Sequence, residues 1–215
     1  MPHFKLESAH HPLRVCGVDE AGRGPWAGPV VASAVMFHTV KAIRGVNDSK
    51  QLTRELREKM LPRIHERCHV GIGLASVEEI EQFNIWGATS LAMKRAVLAL
   101  GVAPELALID GKIHPKEFPC RTQTVIGGDA ISQSIAAASI IAKVTRDRIM
   151  REQALFYPQY GFDRHVGYGT KQHQTALRTH GVCPLHRRSF RSIKAMLEGV
   201  EPVATPCLAD TEDAA

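Results

Sequence analysis

The sequence predicts an α/β protein in which a mixed central sheet of about five strands is flanked by helices. Three short apolar segments rich in β-branched residues come early in the chain, and two more alternate with helical segments later. Strands that are grouped first and then alternate with helices favour a mixed sheet with helices on its faces. The chain has 215 residues, 44% of them hydrophobic, which suffices for one medium domain with its own core.

The individual elements follow from short-range patterns. Apolar runs bounded by glycine or polar residues predict strands at residues 15–18, 29–37, 70–77, 105–110 and 122–126. Apolar residues at helical spacing predict helices near residues 52–64, 77–100, 130–155, 171–181 and 190–197. The third of these helices is rich in alanine and serine, which allows it to lie close to the sheet. The polar residues 1–13 predict a flexible lead, and the proline- and acid-rich residues 199–215 predict a disordered tail.

Composition narrows the class of protein without identifying it. The formal net charge of +5 favours a polyanionic partner but is also common in unrelated proteins. The five cysteines are scattered and never form a C-x-x-C pair, so disulfide staples and zinc sites are poor interpretations and a reducing compartment fits best. The first residues lack the apolar core of a signal peptide, and no apolar run is long enough to span a bilayer. We therefore expect a cytoplasmic protein with no membrane contact.

The segment VCGVDEAGRGPWAGPVV, residues 15–31, combines two adjacent acids with a glycine-rich turn. Asp19 and Glu20 follow an apolar strand, where neighbouring carboxylates repel each other and favour a compensating divalent cation such as Mg²⁺ or Mn²⁺. The glycines that follow allow backbone N–H groups to approach a ligand closely. The glycine spacing is G-x-G-x-x-x-G and the next residues are β-branched, so a dinucleotide-binding motif is excluded.

Further charged residues lie at the predicted element ends. Asp110 ends a strand before a glycine, and Asp129 follows the next strand, where its ordinary interpretation is the N-cap of the following helix. Lys50 precedes a helix, either as a solvated surface lysine or as a phosphate contact at the helix start. Lys143 begins a row of charges at four-residue spacing that is typical of a surface ion-pair row.

Five segments in one order carry a family resemblance. GVDEAGRGPWAGPVVASAV, NDSKQLT, LALIDG, GDAISQSIAAASIIAKVTRDR and YGFDRHVGYGT resemble the bacterial ribonuclease HII family, and the resemblance covers roughly residues 14–197. It implies a ribonuclease H-like fold with a C-terminal helical extension. One catalytic domain would then span residues 14–198, with the C-terminal helices beginning at about residue 157.

The resemblance also implies an activity. Such enzymes hydrolyse the RNA strand of RNA–DNA hybrids and nick 5′ to single ribonucleotides in duplex DNA, leaving 5′-phosphate and 3′-hydroxyl ends. This chemistry serves ribonucleotide excision during DNA replication and repair. Two rival functions are a non-catalytic hybrid-binding module and a nuclease of the same fold that acts on DNA. A binder alone would not need several anions facing phosphate. We expect a monomer.

Site residues follow from the resemblance by motif match. The expected catalytic residues, which would bind two Mn²⁺ or Mg²⁺ ions, are Asp19, Glu20, Asp110 and Asp129. The expected substrate-binding residues are Gly22, Arg23, Gly24, Lys50, Lys143 and Tyr168. In the family, the glycine–arginine–glycine segment contacts the ribose 2′-hydroxyl mainly through its backbone, and the tyrosine packs on the sugar. The basic run near Arg187 is a further expected phosphate contact, on charge alone.

Two positions depart from the family pattern, and several polar residues receive structural interpretations. Gly127 stands where many members have lysine, and Trp26 stands where leucine is commoner and is expected to pack against the sheet. Asp147 is interpreted as structural. The remaining residues lack the tight spacing of a metal site and are expected on loops and helix faces: His165, His173, His180 and His186.

Overall fold

A computed structural model describes residues 1–112 and 114–199. Its centre is a five-stranded sheet in the order β3-β2-β1-β4-β5. The strands are β1 (Val15–Ala21), β2 (Val30–Phe37), β3 (Cys68–Ala75), β4 (Leu106–Asp110) and β5 (Arg121–Val125). The first three pair antiparallel, whereas β4 and β5 run parallel to β1. The predicted mixed sheet is confirmed. The first strand is longer than predicted, because its pairing continues through the two acids to Ala21.

Two long helices cover the two faces of the sheet. They are α3 (Val77–Leu98) and α5 (Gln133–Phe156). Buried alanines of α3 pack on one face with Cys16 and Val18, whereas α5 packs on the other face. A Cβ atom on Gly17 would lie 2.2 Å from the backbone of Ser134, so α5 rests directly on β1. The small side chains of α5 permit this approach, as their composition predicts.

The predicted helix at residues 77–100 contains a kink. Asn84 has φ 56° and ψ 175°, and its side-chain Oδ1 accepts hydrogen bonds from the N–H groups of Trp86 (2.9 Å) and Gly87 (3.2 Å). Asn84 therefore caps the second part of α3, a position that asparagine favours because its side-chain oxygen can accept from the first unpaired N–H groups of a helix. The kink leaves the Trp86 side chain half exposed beside the sheet edge.

The helix α2 (Arg54–Arg67) is capped by Thr53, whose hydroxyl accepts a hydrogen bond from Leu56 N–H. Pro62 lies inside this helix, which continues through it to Arg67. Of the predicted apolar stripe, Ile64 is fully buried whereas Leu56 is 42% exposed. The stripe thus faces the sheet only in part.

The N-terminal residues pack on the domain, in contrast to the predicted flexible lead. They include a short helix, α1 (Lys5–Ser8). The Glu7 carboxylate accepts hydrogen bonds from the Ser132 hydroxyl (2.7 Å) and from the N–H (3.0 Å) and hydroxyl (2.7 Å) of Ser134. Leu6 packs against a small core cluster at the same place. These contacts tie the lead to the start of α5, which a composition argument could not reveal.

The C-terminal extension forms a second packed layer at the sheet edge. It comprises α6 (Phe162–His165), α7 (Lys171–His180) and α8 (Arg191–Leu197). As predicted, His165 and His173 lie in helices (α6 and α7) and His186 lies in a loop, but all three side chains are buried in this layer. The rings of His165 and His173 stack with centroids 4.5 Å apart. The predicted tail lies outside the described residues from residue 200 onward.

No helix among the described residues is both long and apolar enough to cross a membrane.

Candidate active site

Three carboxylates converge at one edge of the sheet. Asp19, Asp110 and Asp129 each offer an oxygen atom within 4.8 Å of the others. Asp19 lies in β1 and Asp110 ends the neighbouring parallel strand β4, where Val18 pairs with Ile109 one residue earlier. Because parallel strands present their carboxyl ends at the same edge, the two acids are brought together by the sheet itself.

Asp129 reaches the same place from the turn after β5. Gly127 takes the left-handed conformation (φ 63°), and a single helical turn, α4 (Gly128–Ile131), follows. Its first N–H group, on Gly128, donates a 2.7 Å hydrogen bond to Asp110 Oδ1. The long helix α5 starts later, with Ser132 as its N-cap. The N-cap interpretation of Asp129 is therefore wrong, and its carboxylate is free to face the other two acids.

Glu20 lies on the other face of β1, because successive side chains of a strand alternate. It is not one of the three acids that converge within 4.8 Å among the described residues. Its Oε1 accepts a 3.2 Å hydrogen bond from Arg23 Nη1. With Asp110, it lines a cavity of about 320 Å³ walled by Trp86. Glu20 therefore approaches the acid cluster from the α3 side.

The cluster carries unbalanced negative charge. Burial, and then the charges of Glu20 and Asp110, raise the pKa of Asp19 well above its ordinary value. Burial, and then Asp110, raise the pKa of Asp129. The one lysine bridged to the cluster in the described chain is Lys50, whose Nζ lies 3.8 Å from Asp129 Oδ2. Burial disfavours the charged lysine, but the neighbouring acids outweigh it and raise its pKa.

The donor set fits hard divalent cations. All three converging groups are carboxylates, and Mg²⁺ and Mn²⁺ prefer oxygen ligands. Buried carboxylates that repel one another need an opposite charge, and Lys50, with its side chain 79% exposed, supplies little of it. The arrangement therefore suits metal-assisted chemistry on an anionic substrate.

The glycine–arginine–glycine loop begins directly after β1. Gly22 has φ 96°, a conformation that favours glycine. The Arg23 side chain turns back toward α3, where it pairs with Glu20 and stacks on Trp86 with its guanidinium carbon 3.9 Å from the ring centroid. The side chain of Arg23 is thus engaged in packing, which leaves the backbone of the loop as its available surface.

Tyr168 lies beside this loop. A Cβ atom on Gly24 would be 3.8 Å from Tyr168 Cε1, and Lys143 Nζ is 5.9 Å from the Tyr168 ring centroid. Lys143 also forms a 2.9 Å ion pair with the buried Asp147, although burial lowers the pKa of this lysine. The predicted ion-pair row stops there, because Arg151 Nε donates to the Asp147 backbone carbonyl. The structure therefore brings Gly24, Tyr168 and Lys143 together.

The two departures from the family pattern have different surroundings. A Cβ atom on Gly169 would lie 2.3 Å from the Trp26 ring, and the ring centroid of Trp26 is 5.8 Å from that of His173. Trp26 therefore packs against the C-terminal extension, and the expectation that it packs against the sheet is wrong. Gly127 lies in open space, since a Cβ atom there would have no described atom within 4 Å. Its left-handed backbone favours glycine over a residue with a side chain.

The sequence did not predict that two arginines near the site, Arg187 and Arg146, are buried and bound to backbone carbonyls. The basic run near Arg187 was expected to contact phosphate, but the Arg187 side chain itself is fully buried and donates to backbone carbonyls, whereas its neighbour Arg188 is exposed. Arg146, equally buried, was not singled out. No sequence pattern separates Arg187 from its exposed neighbour Arg188, because both belong to an irregular loop.

Known proteins resemble this chain over most of its length. The family model described as Ribonuclease HII matches residues 16–193. Ribonuclease HII of Parvibaculum lavamentivorans is 51% identical over 194 residues, covering 90% of this chain and 72% of that protein. Ribonuclease HII of Rhizorhabdus wittichii is 52% identical over 192 residues, covering 89% and 94%. The crystal structure of ribonuclease H2 from Pyrococcus horikoshii superposes with a TM-score of 0.73 at 27% identity, covering 87% of this chain and 98% of that one.

Proposed function

The chain belongs to the ribonuclease HII family and is a metal-dependent ribonuclease H endonuclease, and we propose that it nicks DNA duplexes 5′ to single embedded ribonucleotides as well as the RNA strand of RNA–DNA hybrids. One observation carries the proposal most directly. The acids Asp19, Asp110 and Asp129 converge near the end of β1, which continues into the glycine–arginine–glycine loop, and this loop lies beside Tyr168. Chemistry on phosphate and recognition of a sugar are thereby adjacent.

Asp19, Asp110 and Asp129, with Glu20 from the opposite face, would hold two divalent ions, Mg²⁺ or Mn²⁺. Their carboxylate oxygens match the preference of these ions. Bound ions supply activation of a water molecule and stabilisation of the charge on the leaving oxygen. The expected products carry 5′-phosphate and 3′-hydroxyl ends.

The acids would act mainly as metal ligands, and their negative charge would oppose substrate binding in the absence of cations. Their raised pKa values reflect burial and mutual repulsion, and the same negative charge repels a phosphate backbone until cations are bound. Lys50, next to Asp129, is suited to contact a phosphate once that repulsion is removed. Lys143, near Tyr168, is suited to a second phosphate contact.

Specificity for ribose requires recognition of the 2′-hydroxyl, which is what distinguishes RNA from DNA at one nucleotide. Because the Arg23 side chain is occupied by Glu20 and Trp86, the backbone N–H groups of the loop are the natural donors to that hydroxyl. Tyr168, next to Gly24, would pack on the same sugar. The proposed biological role is ribonucleotide excision during DNA replication and repair, by a monomeric protein in the cytoplasm.

The test is a nicking assay on a labelled duplex that contains one ribonucleotide, with a matched all-DNA duplex and a long hybrid alongside. Cleavage 5′ to the ribonucleotide that requires Mn²⁺ or Mg²⁺ is the expected result. Binding without any metal-dependent nick would favour a non-catalytic hybrid-binding module. Cutting of the all-DNA duplex would favour a DNA nuclease of the same fold. Either outcome overturns the proposal.

A further inference from the structure

Arg187 lies inside the glycine-rich loop. The residue is 0% exposed, and its guanidinium donates hydrogen bonds to the carbonyls of Gly28 (Nε, 2.9 Å), Arg23 (Nη1, 3.0 Å) and Gly22 (Nη2, 2.6 Å). Nη2 also reaches the carbonyl of Pro29 at 3.2 Å. Acceptors at both ends of the loop therefore converge on one side chain that is contributed by a distant part of the chain.

Arg146, on α5, forms hydrogen bonds with the same loop and with the segment that precedes Tyr168. It is 1% exposed and donates to the carbonyls of Pro29 (3.1 Å), Ala27 (3.0 Å) and Val166 (2.9 Å). Val166, two residues before the tyrosine, has φ 43°, which is rare for a β-branched residue. The hydrogen bond from Arg146 thus holds an unfavourable turn.

Neither guanidinium forms an ion pair with a carboxylate in the described part of the chain. Burial lowers the pKa of Arg187 to about 9 and that of Arg146 to about 10, so both remain charged at neutral pH. Burying a charge without a counter-ion is unfavourable unless its hydrogen bonds are satisfied. Backbone carbonyls satisfy them here, and those carbonyls are therefore strongly restrained in orientation.

The restraint fixes the direction of the adjacent amides. In a trans peptide, the C=O of one residue and the N–H of the next point in opposite directions. Since the carbonyls of Gly22 and Arg23 point inward to Arg187, the N–H groups of Arg23 and Gly24 point outward. Within residues 1–112 and 114–199, neither N–H donates to a protein acceptor. They are left available to an acceptor on a substrate.

We infer that Arg187 and Arg146 are positioning residues that orient the backbone N–H groups of Arg23 and Gly24 toward the ribose 2′-hydroxyl. The inference rests on the proposed recognition of ribose by this loop, and it adds which residues set the geometry of that recognition. The packing of Gly22 supports it, because a Cβ atom there would lie 2.1 Å from Arg146 Nε. The loop and the guanidinium are in direct contact, so a shift of one moves the other.

Two hydrogen-bonded histidines, His186 and His173, hold the backbone of Tyr168, which lies beside the glycine–arginine–glycine loop. The N–H of Cys183 donates to His186 Nδ1 (2.9 Å), which assigns the His186 proton to Nε2. That Nε2–H donates to His173 Nε2 (3.0 Å), and His173 Nδ1–H donates to the carbonyl of Tyr168 (2.8 Å). The backbone of Tyr168 is thus held from the C-terminal extension, as the glycine loop is held by Arg187.

The test compares Arg187→Lys with Arg188→Lys. Lysine keeps the charge but has three donors on one nitrogen, so it cannot reproduce the planar guanidinium that bonds to four carbonyls. Arg188 is exposed and adjacent, which makes the same substitution there a matched control. Fluorescence anisotropy gives the Kd of a duplex with one ribonucleotide and of the matched all-DNA duplex, both in an Asp110→Asn background that prevents cleavage. The Kd of the all-DNA duplex divided by the Kd of the ribonucleotide duplex measures recognition of the 2′-hydroxyl.

Arg187→Lys should reduce this ratio about tenfold, which corresponds to about 1.4 kcal/mol, roughly one hydrogen bond. Arg146→Lys should reduce it less, about threefold, because the carbonyls of Gly22 and Arg23 stay bound to Arg187. Arg188→Lys should leave the ratio unchanged. With the acids intact, the Arg187→Lys and Arg146→Lys proteins should keep the stabilisation by Mn²⁺ that the unsubstituted protein shows in a thermal melt.

A purely structural role predicts something different. It lowers both affinities in proportion and reduces the Mn²⁺ response, leaving the ratio intact, and this result overturns the inference. So does failure of both lysine variants to reach a folded state that responds to Mn²⁺. If the Asp110→Asn protein itself shows no preference for the ribonucleotide duplex, ribose recognition by this loop fails, and with it the premise of the inference. The two failures are therefore distinguishable.

Discussion

Replacing Asp110 with asparagine should stabilise the metal-free protein while abolishing its activity. Asp110 shares the cluster with Asp19 and Asp129, whose nearest oxygens lie within 4.8 Å. Asparagine removes one negative charge with little change in shape. It also keeps an Oδ1 atom that can accept the 2.7 Å hydrogen bond from Gly128 N–H. The substitution therefore isolates the charge.

The magnitude follows from Coulomb's law. Two unit charges 4.8 Å apart repel by about 3.5 kcal/mol at an effective dielectric constant of about 20, and by about 0.9 kcal/mol in bulk water. The cluster lies at a sheet edge between these limits, and burial together with the neighbouring carboxylates raises the pKa of Asp19, as expected for acids that repel one another. We expect a gain of about 2 kcal/mol for the metal-free variant, or about 4–8 °C in Tm for a chain of this size.

Added metal should reverse the order of stability. At a concentration of about one hundred times Kd, a bound ion stabilises the unsubstituted protein by about 2.7 kcal/mol, whereas a variant that lacks one ligand gains less. The assay is thermal unfolding of both proteins after dialysis against a chelator, with and without added Mn²⁺, together with the nicking assay. Asp163→Asn is the matched control, because the Asp163 side chain is 55% exposed and pairs only loosely with Arg164 at 3.9 Å.

Two results would refute this reasoning. One is an Asp110→Asn protein that is no more stable than the unsubstituted chain in the absence of metal. The other is an Asp110→Asn protein whose Mn²⁺-dependent shift and nicking rate are both retained. Either would mean that the three acids do not act as a repulsive cluster relieved by a cation.

Three further outcomes are expected. Tyr168→Ala should slow nicking at a single ribonucleotide about tenfold, at the lower end of aromatic stacking energies, and a long hybrid should be less affected; equal losses on both substrates would contradict a role on the sugar. Gly22→Ala should lower Tm more than Gly101→Ala, because both have positive φ but only Gly22 has an atom, Arg146 Nε, 2.1 Å from the added Cβ; equal shifts in a thermal melt would show that this contact is irrelevant. Burial lowers the pKa of His173 to about 3 and that of His186 to about 4, whereas an unfolded histidine titrates near 6.5. The unfolded state then binds more protons between about pH 4 and 6.5, so the free energy of unfolding should fall on acidification by up to about 1.4 kcal/mol per pH unit for each histidine. The acid cluster, with raised pKa values, works in the opposite direction but equally in both proteins, so His186→Gln should flatten the slope of stability between pH 7 and 5 in urea unfolding; parallel slopes would exclude the histidine as its source.

The sheet and its flanking helices were predictable because their signals are local and periodic. Asp19 and Asp110 were identifiable because each ends an apolar strand, and parallel pairing brings such ends together. Asp129 was found as a candidate but assigned the wrong local role. Asp and Ser are both good N-caps, and the choice of Ser132 depends on the left-handed turn at Gly127, which a periodicity argument does not detect.

The residues that the sequence concealed are those whose environment is set by distant parts of the chain. Arg187 and Arg188 are adjacent and chemically identical, yet the first is buried and the second is exposed. The difference arises because the backbone beside Arg187 pairs with Trp26 and Gly28, which turns its side chain into the loop. His173 and His186 are concealed in the same way, since an amphipathic pattern cannot distinguish a buried neutral imidazole from an exposed one.

These long-range contacts separate the two tasks of the site. Asp19 and Asp110 are positioned by the sheet, whose strands β1, β2, β4 and β5 pair through residues no later than Val125. Asp129 is positioned by the turn that follows β5. The glycine loop is positioned by α5 and by the C-terminal extension, through Arg146 and Arg187. Changes in the extension should therefore alter recognition of ribose while leaving metal binding intact. Changes at the ends of β1 and β4 should do the reverse, although Asp19 and Gly22 are only three residues apart.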